Sequence, residues 1–362
     1  MRRLKVNGPG APKEAVAAAR KVLRAGGLVA FPTETVYGLC VDATIPAAVK
    51  KLYAAKGRDM RKACAVLVAS RAAAEKMTGG LPSIAARLAD HFWPGPVTLV
   101  VPGRRGNLVG LRLPRPALPR AIARAVGRPL LQTSANRAGQ PAALNGAGVV
   151  AALGDEVDLL LDTGRAPGGQ SSTVVRCDGK TYAVLREGAV PTATIADAAE
   201  RLIMIVCTGN LCRSPVAEVM MRDRLAAELE CETDDLARHG FRVESFGTMG
   251  LVDKPATDHS VTVAAEHGLD LGAHRSRPFS HGLINASDTI FCLARGHREF
   301  LIPYLQERPD ALQMLHPKGK EIHDPYGRSL KVYRKTGEQI AKAVSERAKE
   351  LAGTAEEEDE DE

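Results

Sequence analysis

The sequence predicts two α/β domains in one chain: an N-terminal domain on a mixed twisted sheet and a C-terminal domain on a doubly wound parallel sheet. Three observations carry that prediction. In the second half, the fully apolar run Leu202-Ile203-Met204-Ile205-Val206 is of the kind that makes a buried parallel strand, and residues 215–229 carry helix-forming residues at apolar spacing. In the first half, strand-like and helix-like segments follow one another in mixed order, with several strands adjacent late on. Charge also divides the chain. Residues 1–200 hold 28 Lys and Arg against 14 Asp and Glu, residues 201–355 hold 21 of each, and Glu356-Glu357-Glu358-Asp359-Glu360-Asp361-Glu362 adds seven negative charges. The expected boundaries are 1–190 for the first domain, 191–200 for a linker, 201–352 for the second domain and 353–362 for an acidic tail.

At 362 residues the chain is long enough for two domains, each with its own core, and 45% apolar with 25% charged residues is ordinary for globular proteins. No apolar run reaches the length of a membrane span, and Met1-Arg2-Arg3-Leu4-Lys5-Val6 lacks the apolar stretch of a signal peptide, so a cytoplasmic protein with no membrane partner is expected. The seven cysteines (Cys40, Cys64, Cys177, Cys207, Cys212, Cys231, Cys292) are odd in number, scattered and without a C-x2-C pair. That argues against a disulfide framework and a zinc site, and no metal ligands are expected. The basic first half has the electrostatics of a domain that handles polyanions such as ATP or RNA, with a solvated basic surface as the alternative. The tail is a like-charge block that cannot fold by itself and is expected to be disordered.

In chain order, residues 13–25 read as an amphipathic helix stopped by Gly26-Gly27, and residues 28–31 as a strand. Pro32-Thr33-Glu34-Thr35-Val36-Tyr37-Gly38-Leu39 reads as a loop rich in hydroxyls. After a helical stretch, Lys56-Gly57-Arg58 sets two cations around a glycine, which suits a triphosphate, although basic tripeptides also simply face water. Residues 63–69 read as a strand, 82–92 as a helix, and Trp93-Pro94-Gly95-Pro96 as a rigid turn feeding a strand at 97–101. A short strand at 111–114 follows. Thr133-Ser134-Ala135-Asn136 places small polar residues at a strand's end, where sheet proteins put ligand contacts. Residues 158–162, 171–176 and 182–185 are further strands, and Pro191-Thr192-Ala193-Thr194 breaks the chain before a helix at 195–201.

The chemistry is clearest in Cys207-Thr208-Gly209-Asn210-Leu211-Cys212-Arg213-Ser214-Pro215, which runs from a strand through a loop into a helix. At a helix N-terminus, unpaired N–H groups and the positive end of the dipole cradle a phosphate and favour a thiolate at Cys207. Arg213 can grip two phosphate oxygens with its planar fork. Ser214 can hydrogen-bond the thiolate, and Asn210 can hold the loop's shape. Cys212 shares the loop; it is either filler or a partner able to trap Cys207 as a reversible disulfide.

This string, with Ala217-Glu218, resembles the signature of the low-molecular-weight protein tyrosine phosphatase family over about residues 202–344. The family also keeps a late Asp-Pro pair, matched here by Asp324-Pro325-Tyr326. Ser245-Phe246-Gly247-Thr248 and His274-Arg275-Ser276-Arg277 look like family segments too, with Phe246 standing where alanine is common. The resemblance implies a phosphocysteine on Cys207, Arg213 on the phosphate, Asp324 as acid and then base, Thr208, Gly209, Asn210, Leu211, Cys212 and Ser214 supporting the loop, and no cofactor. Leu211 favours a phosphotyrosine substrate. Asp324-Pro325-Tyr326-Gly327-Arg328-Ser329-Leu330 resembles the arginine-phosphate branch instead, so both substrate classes stay open.

The first half resembles the YrdC domain, the threonylcarbamoyl-adenylate synthase family of tRNA modification, over about residues 14–190. The matching strings are Pro32 to Leu39, Lys56-Gly57-Arg58, Trp93-Pro94-Gly95-Pro96, Arg112-Leu113-Pro114, Ser134-Ala135-Asn136, Ser172-Thr173 and Leu185-Arg186. The resemblance implies condensation of L-threonine, bicarbonate and ATP, with Mg²⁺ on the phosphates, into threonylcarbamoyl-AMP and pyrophosphate. It also implies tRNA or tRNA-modification proteins downstream. Lys56, Arg58, Ser134, Asn136 and Arg186 match nucleotide-site positions, and Thr33, Tyr37 and Ser172 match positions near the amino acid. Asp59-Met60-Arg61-Lys62-Ala63 departs from the proline-bearing run of many relatives, and Leu67 stands where longer members place a histidine. The competing reading makes this half a non-catalytic nucleotide- or RNA-binding module.

Overall fold

The computed structural model describes residues 1–8 and 10–353. The chain divides after Ala199 into two α/β units. The expected disorder of the acidic tail falls, from residue 354 on, outside the described residues.

The first unit holds strands β1 (Arg2–Lys5), β2 (Val29–Pro32), β3 (Tyr37–Asp42), β4 (Ala65–Leu67), β5 (Val97–Pro102), β6 (Leu108–Arg112), β7 (Leu130–Ser134), β8 (Leu159–Asp162), β9 (Thr173–Cys177) and β10 (Tyr182–Arg186). They form one ten-stranded sheet in the order β1-β8-β2-β3-β7-β4-β6-β5-β9-β10, and parallel and antiparallel pairs are mixed along it. Helices α1 (Lys13–Arg24), α2 (Pro46–Lys56), α3 (Arg71–Thr78), α4 (Ser83–Phe92), α5 (Ala117–Val126), α6 (Gly146–Leu153) and α7 (Thr192–Ala199) pack on it. Side chains alternate across a strand, and β2 uses both faces. Val29 and Phe31 pack with α1 and α5, while Leu28, just before the strand, and Ala30 pack with α2 and α6.

Three features of this unit differ from the sequence reading. Half of the stretch 32–39 is strand, because β2 runs through Pro32 and β3 begins at Tyr37, leaving residues 33–36 as the turn of an antiparallel hairpin. Thr33 ties that turn: its hydroxyl donates to the Val36 carbonyl at 2.6 Å and accepts the Thr35 and Val36 N–H groups at 3.2 and 3.3 Å. Strand β1 goes unseen in the sequence because its side chains are mostly exposed; backbone pairing with β8 and the Arg3–Asp162 ion pair hold it. The stretch 191–200 is largely α7, whose Ile195, Ala198 and Ala199 are buried in a core with Ile84, Ala85 and Leu88 of α4.

The second unit has strands β11 (Arg201–Cys207), β12 (Phe241–Gly247), β13 (Thr289–Cys292) and β14 (Leu312–Met314), all parallel, in the order β12-β11-β13-β14. Its helices are α8 (Arg213–Glu228), α9 (Asp258–Glu266), α10 (His281–Ala286), α11 (Arg295–Leu301) and α12 (Leu330–Ala352). Every residue of β11 after Arg201 is buried. Ile203, Ile205 and Cys207 pack with α8, α9 and α12, and Leu202, Met204 and Val206 pack with Ile284 and Leu301 of α10 and α11. A strand covered on both faces explains its continuous apolar run. The strand order reverses beside β11, so its carboxyl end, Cys207, lies at the switch point where open α/β sheets bind ligands.

Candidate active sites

In the second unit, α8 starts at Arg213, so Pro215 sits in its first turn, where a missing N–H leaves no intrahelical bond unmade. The loop before it is held from its centre. Asn210 is fully buried with φ of 55°, a left-handed conformation that asparagine tolerates. Its Nδ2 donates to Ser214 Oγ at 2.9 Å and Ser245 Oγ at 2.8 Å, its Oδ1 accepts the Arg277 N–H at 2.8 Å, and its carbonyl lies 2.8 Å from His274 Nε2. The Ser245 hydroxyl donates to Glu218 Oε2 at 2.6 Å.

Cys207 Sγ lies 3.0 Å from Ser214 Oγ and accepts the Asn210 N–H at 3.2 Å. Arg213 is buried. Its Nη1 donates to the Ile322 carbonyl at 3.2 Å and its Nη2 to Asp324 Oδ2, while Thr208 Oγ1 lies 3.5 Å from Nη2. Leu211 and Leu251 flank the space above Gly209, at 3.6 and 3.5 Å from where a Cβ would stand. Cys212 is buried beside Tyr333 OH at 3.3 Å, and burial pushes its thiol pKa up. Cys207 and Cys212 are both free thiols. The structure thus gathers Cys207, Thr208, Gly209, Asn210, Leu211, Cys212, Arg213, Ser214 and Asp324 around one loop.

Sequence reasoning assigned no role to Ser245, Glu218, Gly247 or His297. Ser245 had a signal: it follows Val243 on the inward face of β12, where the strand's period calls for an apolar residue. Gly247 lets the loop lie against β12, since a Cβ there would stand 2.8 Å from the Thr208 carbonyl oxygen. His297, 5% exposed, has its Nε2 at 3.0 Å from Thr208 Oγ1 and its pKa pushed down to about 4 by burial and then by Arg213.

In the first unit, a cavity of about 430 Å³ is lined by Thr33, Arg58, Arg112, Gln132, Ser134, Ser172 and Arg186 among others. Arg112, 4% exposed at the end of β6, is ion-paired with Glu34, yet its Nη1 has no protein acceptor. Burial pushes its pKa down to about 10, with Glu34 opposing and Arg186 adding to the fall. Arg186 Nη2 donates to the Ser172 carbonyl at 2.8 Å, and Ser172 Oγ lies 2.9 Å from Thr98 Oγ1. Arg58 is steadied by the carbonyls of Lys62 and Ala63, each at 3.0 Å.

Lys56 is buried with its Nζ donating to the Ser134 carbonyl at 2.6 Å and Asn136 Oδ1 at 2.8 Å; burial and Arg58 push its pKa down to about 8. Asn136 also accepts from Ser134 Oγ at 2.6 Å, so Lys56, Ser134 and Asn136 form one network. Tyr37 does not line the cavity. Its hydroxyl donates to Asp162 Oδ1 at 3.0 Å or the Gly164 carbonyl at 2.7 Å, and burial with Asp162 pushes its pKa up to about 12. Glu34 and Arg112 were read only as parts of matching strings; a buried arginine in an apolar strand was the signal for their role.

The fold and sites define a two-domain α/β protein with an arginine-lined cavity in one domain and a Cys-x5-Arg phosphate loop in the other. Comparisons with known proteins agree with both halves. The family model Sua5, yciO and yrdC, described as telomere recombination, matches residues 21–188, and that of low molecular weight phosphotyrosine protein phosphatase matches residues 202–357. The threonylcarbamoyl-AMP synthase of Bacillus subtilis (strain 168) is 36% identical over 185 residues, covering 48% of this chain and 54% of the relative, so the chain spans about half of that protein's length. A putative threonylcarbamoyl-AMP synthase of Mycobacterium leprae (strain TN) is 37% identical over 191 residues, covering 50% of this chain and 86% of the relative. Sua5 of P. abyssi complexed with L-threonine shares the fold, with a TM-score of 0.52 and 19% identity over 95% of this chain and 98% of that one. The chain belongs to the threonylcarbamoyl-AMP synthase family and carries, in its second half, a domain of the low molecular weight phosphotyrosine phosphatase family. Both are families of enzymes. No described helix is long and apolar enough to cross a membrane.

Proposed function

We propose that the chain is a bifunctional enzyme. The first unit condenses L-threonine, bicarbonate and ATP into L-threonylcarbamoyladenylate and pyrophosphate, and the product feeds threonylcarbamoyladenosine formation in tRNA. The observation that carries this reading is the buried Arg112, whose Nη1 takes no protein acceptor in a cavity shared with Arg58 and Arg186. One carboxylate, Glu34, does not neutralise three guanidinium groups, and a triphosphate supplies the missing charge. Among the described residues, no group of three or more His, Cys, Asp and Glu is placed to hold a metal ion. Mg²⁺ therefore belongs to this reading as part of the nucleotide substrate, carried on its phosphates. Lys56 lies behind the cavity wall, where its charge, held on the Ser134 carbonyl and Asn136, fixes Ser134 at the nucleotide's edge of the cavity. Ser172 offers a hydroxyl to the amino acid, Thr33 shapes the hairpin turn beside it through its bonds to Val36 and Thr35, and Tyr37 anchors the following strand.

The second unit, in this reading, removes phosphoryl groups from phosphoproteins. Cys207 attacks phosphorus in line, Asp324 protonates the leaving group, and water drawn by Asp324 then releases phosphate from the phosphocysteine. Phosphotyrosine is the favoured substrate because the loop is bordered by apolar side chains. Leu211 and Leu251 flank Gly209. Met249, whose N–H bonds the Thr208 carbonyl at 2.9 Å, is 67% exposed, and so is Tyr326, next to the acid. The run from Asp324 to Leu330 supports phosphoarginine as the second substrate class.

The test is pyrophosphate release from ATP and Mg²⁺ with threonine and bicarbonate added singly and together. A requirement for both is expected. No release makes the first unit a binding module, and release independent of them rejects the synthase reading. In parallel, phosphotyrosine and phosphoarginine peptides are compared with wild type and Cys207→Ser; turnover surviving in Cys207→Ser rejects the nucleophile.

A further inference from the structure

The hydroxyl of Thr208 has its acceptor capacity engaged and its proton left over. A hydroxyl gives one proton and receives on two lone pairs. His297 engages the first pair. Its Nδ1 accepts the Ala294 N–H at 3.1 Å, which places the ring proton on Nε2, and Nε2 then donates to Thr208 Oγ1 at 3.0 Å. The imidazole stays neutral because burial and Arg213 press its pKa down to about 4. The second pair faces Arg213 Nη2, a long contact at 3.5 Å. Among the described residues no acceptor takes the hydroxyl proton, and Thr208 is an exposed residue directly after the nucleophile, beside the guanidinium that would grip a phosphate.

We propose that Thr208 donates this proton to a phosphoryl oxygen of the substrate and that His297 is the positioning residue that aims it. The inference rests on the phosphatase reading of the second unit. It adds a side-chain donor to the backbone N–H groups and Arg213, and it ties α11 to the phosphate site through a single hydrogen bond. With both lone pairs engaged, the proton is confined to the direction that remains, so little reorientation is needed when substrate arrives.

The experiment compares Thr208→Val, Thr208→Ser, His297→Leu, His297→Gln and the Thr208→Val/His297→Leu pair in the full chain. The readouts are kcat/KM for p-nitrophenyl phosphate and the inhibition constant of inorganic phosphate, with thermal unfolding as a control. Thr208→Val is expected to lower kcat/KM by about 10- to 100-fold and to weaken phosphate inhibition, as loss of one hydrogen bond to a charged group does. Thr208→Ser should restore most of it. His297→Leu should reproduce most of the loss in the parent chain and add nothing in the Thr208→Val chain, while His297→Gln, which keeps a donor, should lose less. Unchanged kcat/KM in Thr208→Val overturns the proposal, as do losses that multiply in the double variant, since His297 would then act on the fold and not through Thr208. Absence of any hydrolysis by the parent chain rejects the phosphatase reading itself. Hydrolysis that Cys207→Ser abolishes and Thr208→Val leaves untouched rejects this inference alone.

Discussion

Gly247→Ala is the sharpest test of how the phosphate loop is positioned. Gly247 closes β12 against the loop, and a methyl group added there would stand 2.8 Å from the Thr208 carbonyl oxygen, 2.9 Å from the Asn210 nitrogen and 2.9 Å from the Gly209 carbonyl carbon. Ordinary contacts of this kind begin at 3.4 Å, so a gap of about 0.5 Å has to open. Gly247 is poorly placed to yield, because its N–H donates to the Arg277 carbonyl at 2.9 Å and its carbonyl accepts the Phe279 N–H at 3.0 Å. The loop moves instead, taking the backbone N–H groups that follow Cys207 with it. A misplacement of about 1 Å costs roughly 10²-fold in rate, and overpacking costs about 1–3 kcal/mol of stability. The expected result is a drop of about 10- to 100-fold in kcat/KM for p-nitrophenyl phosphate. Pyrophosphate release by the first unit should be unchanged in the same sample. A folded Gly247→Ala chain with parental kcat/KM refutes the argument.

Arg112→Gln should abolish pyrophosphate release and destabilise the first unit by about 3–5 kcal/mol, because Glu34 is left buried without its cation. Adding Glu34→Gln should recover stability, read by urea unfolding, but not activity. Lys56 sets a pH limit: its charged form holds Ser134 and Asn136 at the cavity wall, so pyrophosphate release should fall as pH rises through about 8. Its contribution to folding moves the other way, growing between about 8 and the ordinary 10.5, where only the unfolded chain binds the proton. His297 gives the second unit an acid sensitivity. With a folded pKa near 4 against an ordinary 6.5, the unfolded chain binds the extra proton, so this contribution is complete above about 6.5 and is lost as pH falls toward 4. The loss amounts to about 3 kcal/mol, and unfolding midpoints of His297→Asn should show a shallower fall over that window.

The phosphate loop is legible in the sequence because its parts are local: strand, cysteine, loop, arginine and helix start lie within thirteen residues of Arg201. What steadies the loop is not local. Ser245 reaches Asn210 because β12 lies beside β11, and His297 reaches Thr208 because β13 lies on the other side. Parallel pairing brings residues some 35 and 89 positions away to one point, and nothing in the spacing of a single sequence records the strand order. The same holds in the first unit, where Glu34 and Arg112 meet across 78 positions. Lys56-Gly57-Arg58 was visible as a basic pair, but the structure separates its members: Arg58 lines the cavity, while Lys56 is buried against Ser134 and Asn136. β1 escaped notice for an energetic reason, since an edge strand held by backbone pairing needs no apolar pattern.

In the proposed phosphatase reaction, the ion pair between Arg213 and Asp324 makes the site a filter on charge. An arriving anion meets a guanidinium already neutralised by a carboxylate and must displace it. A monoester dianion does so with one charge in excess, while a diester monoanion can at best match the group it replaces. Displacement also releases the half-exposed Asp324 carboxylate from the guanidinium. In the proposed reaction, admission of the substrate and release of Asp324 are therefore a single exchange of partners at Arg213.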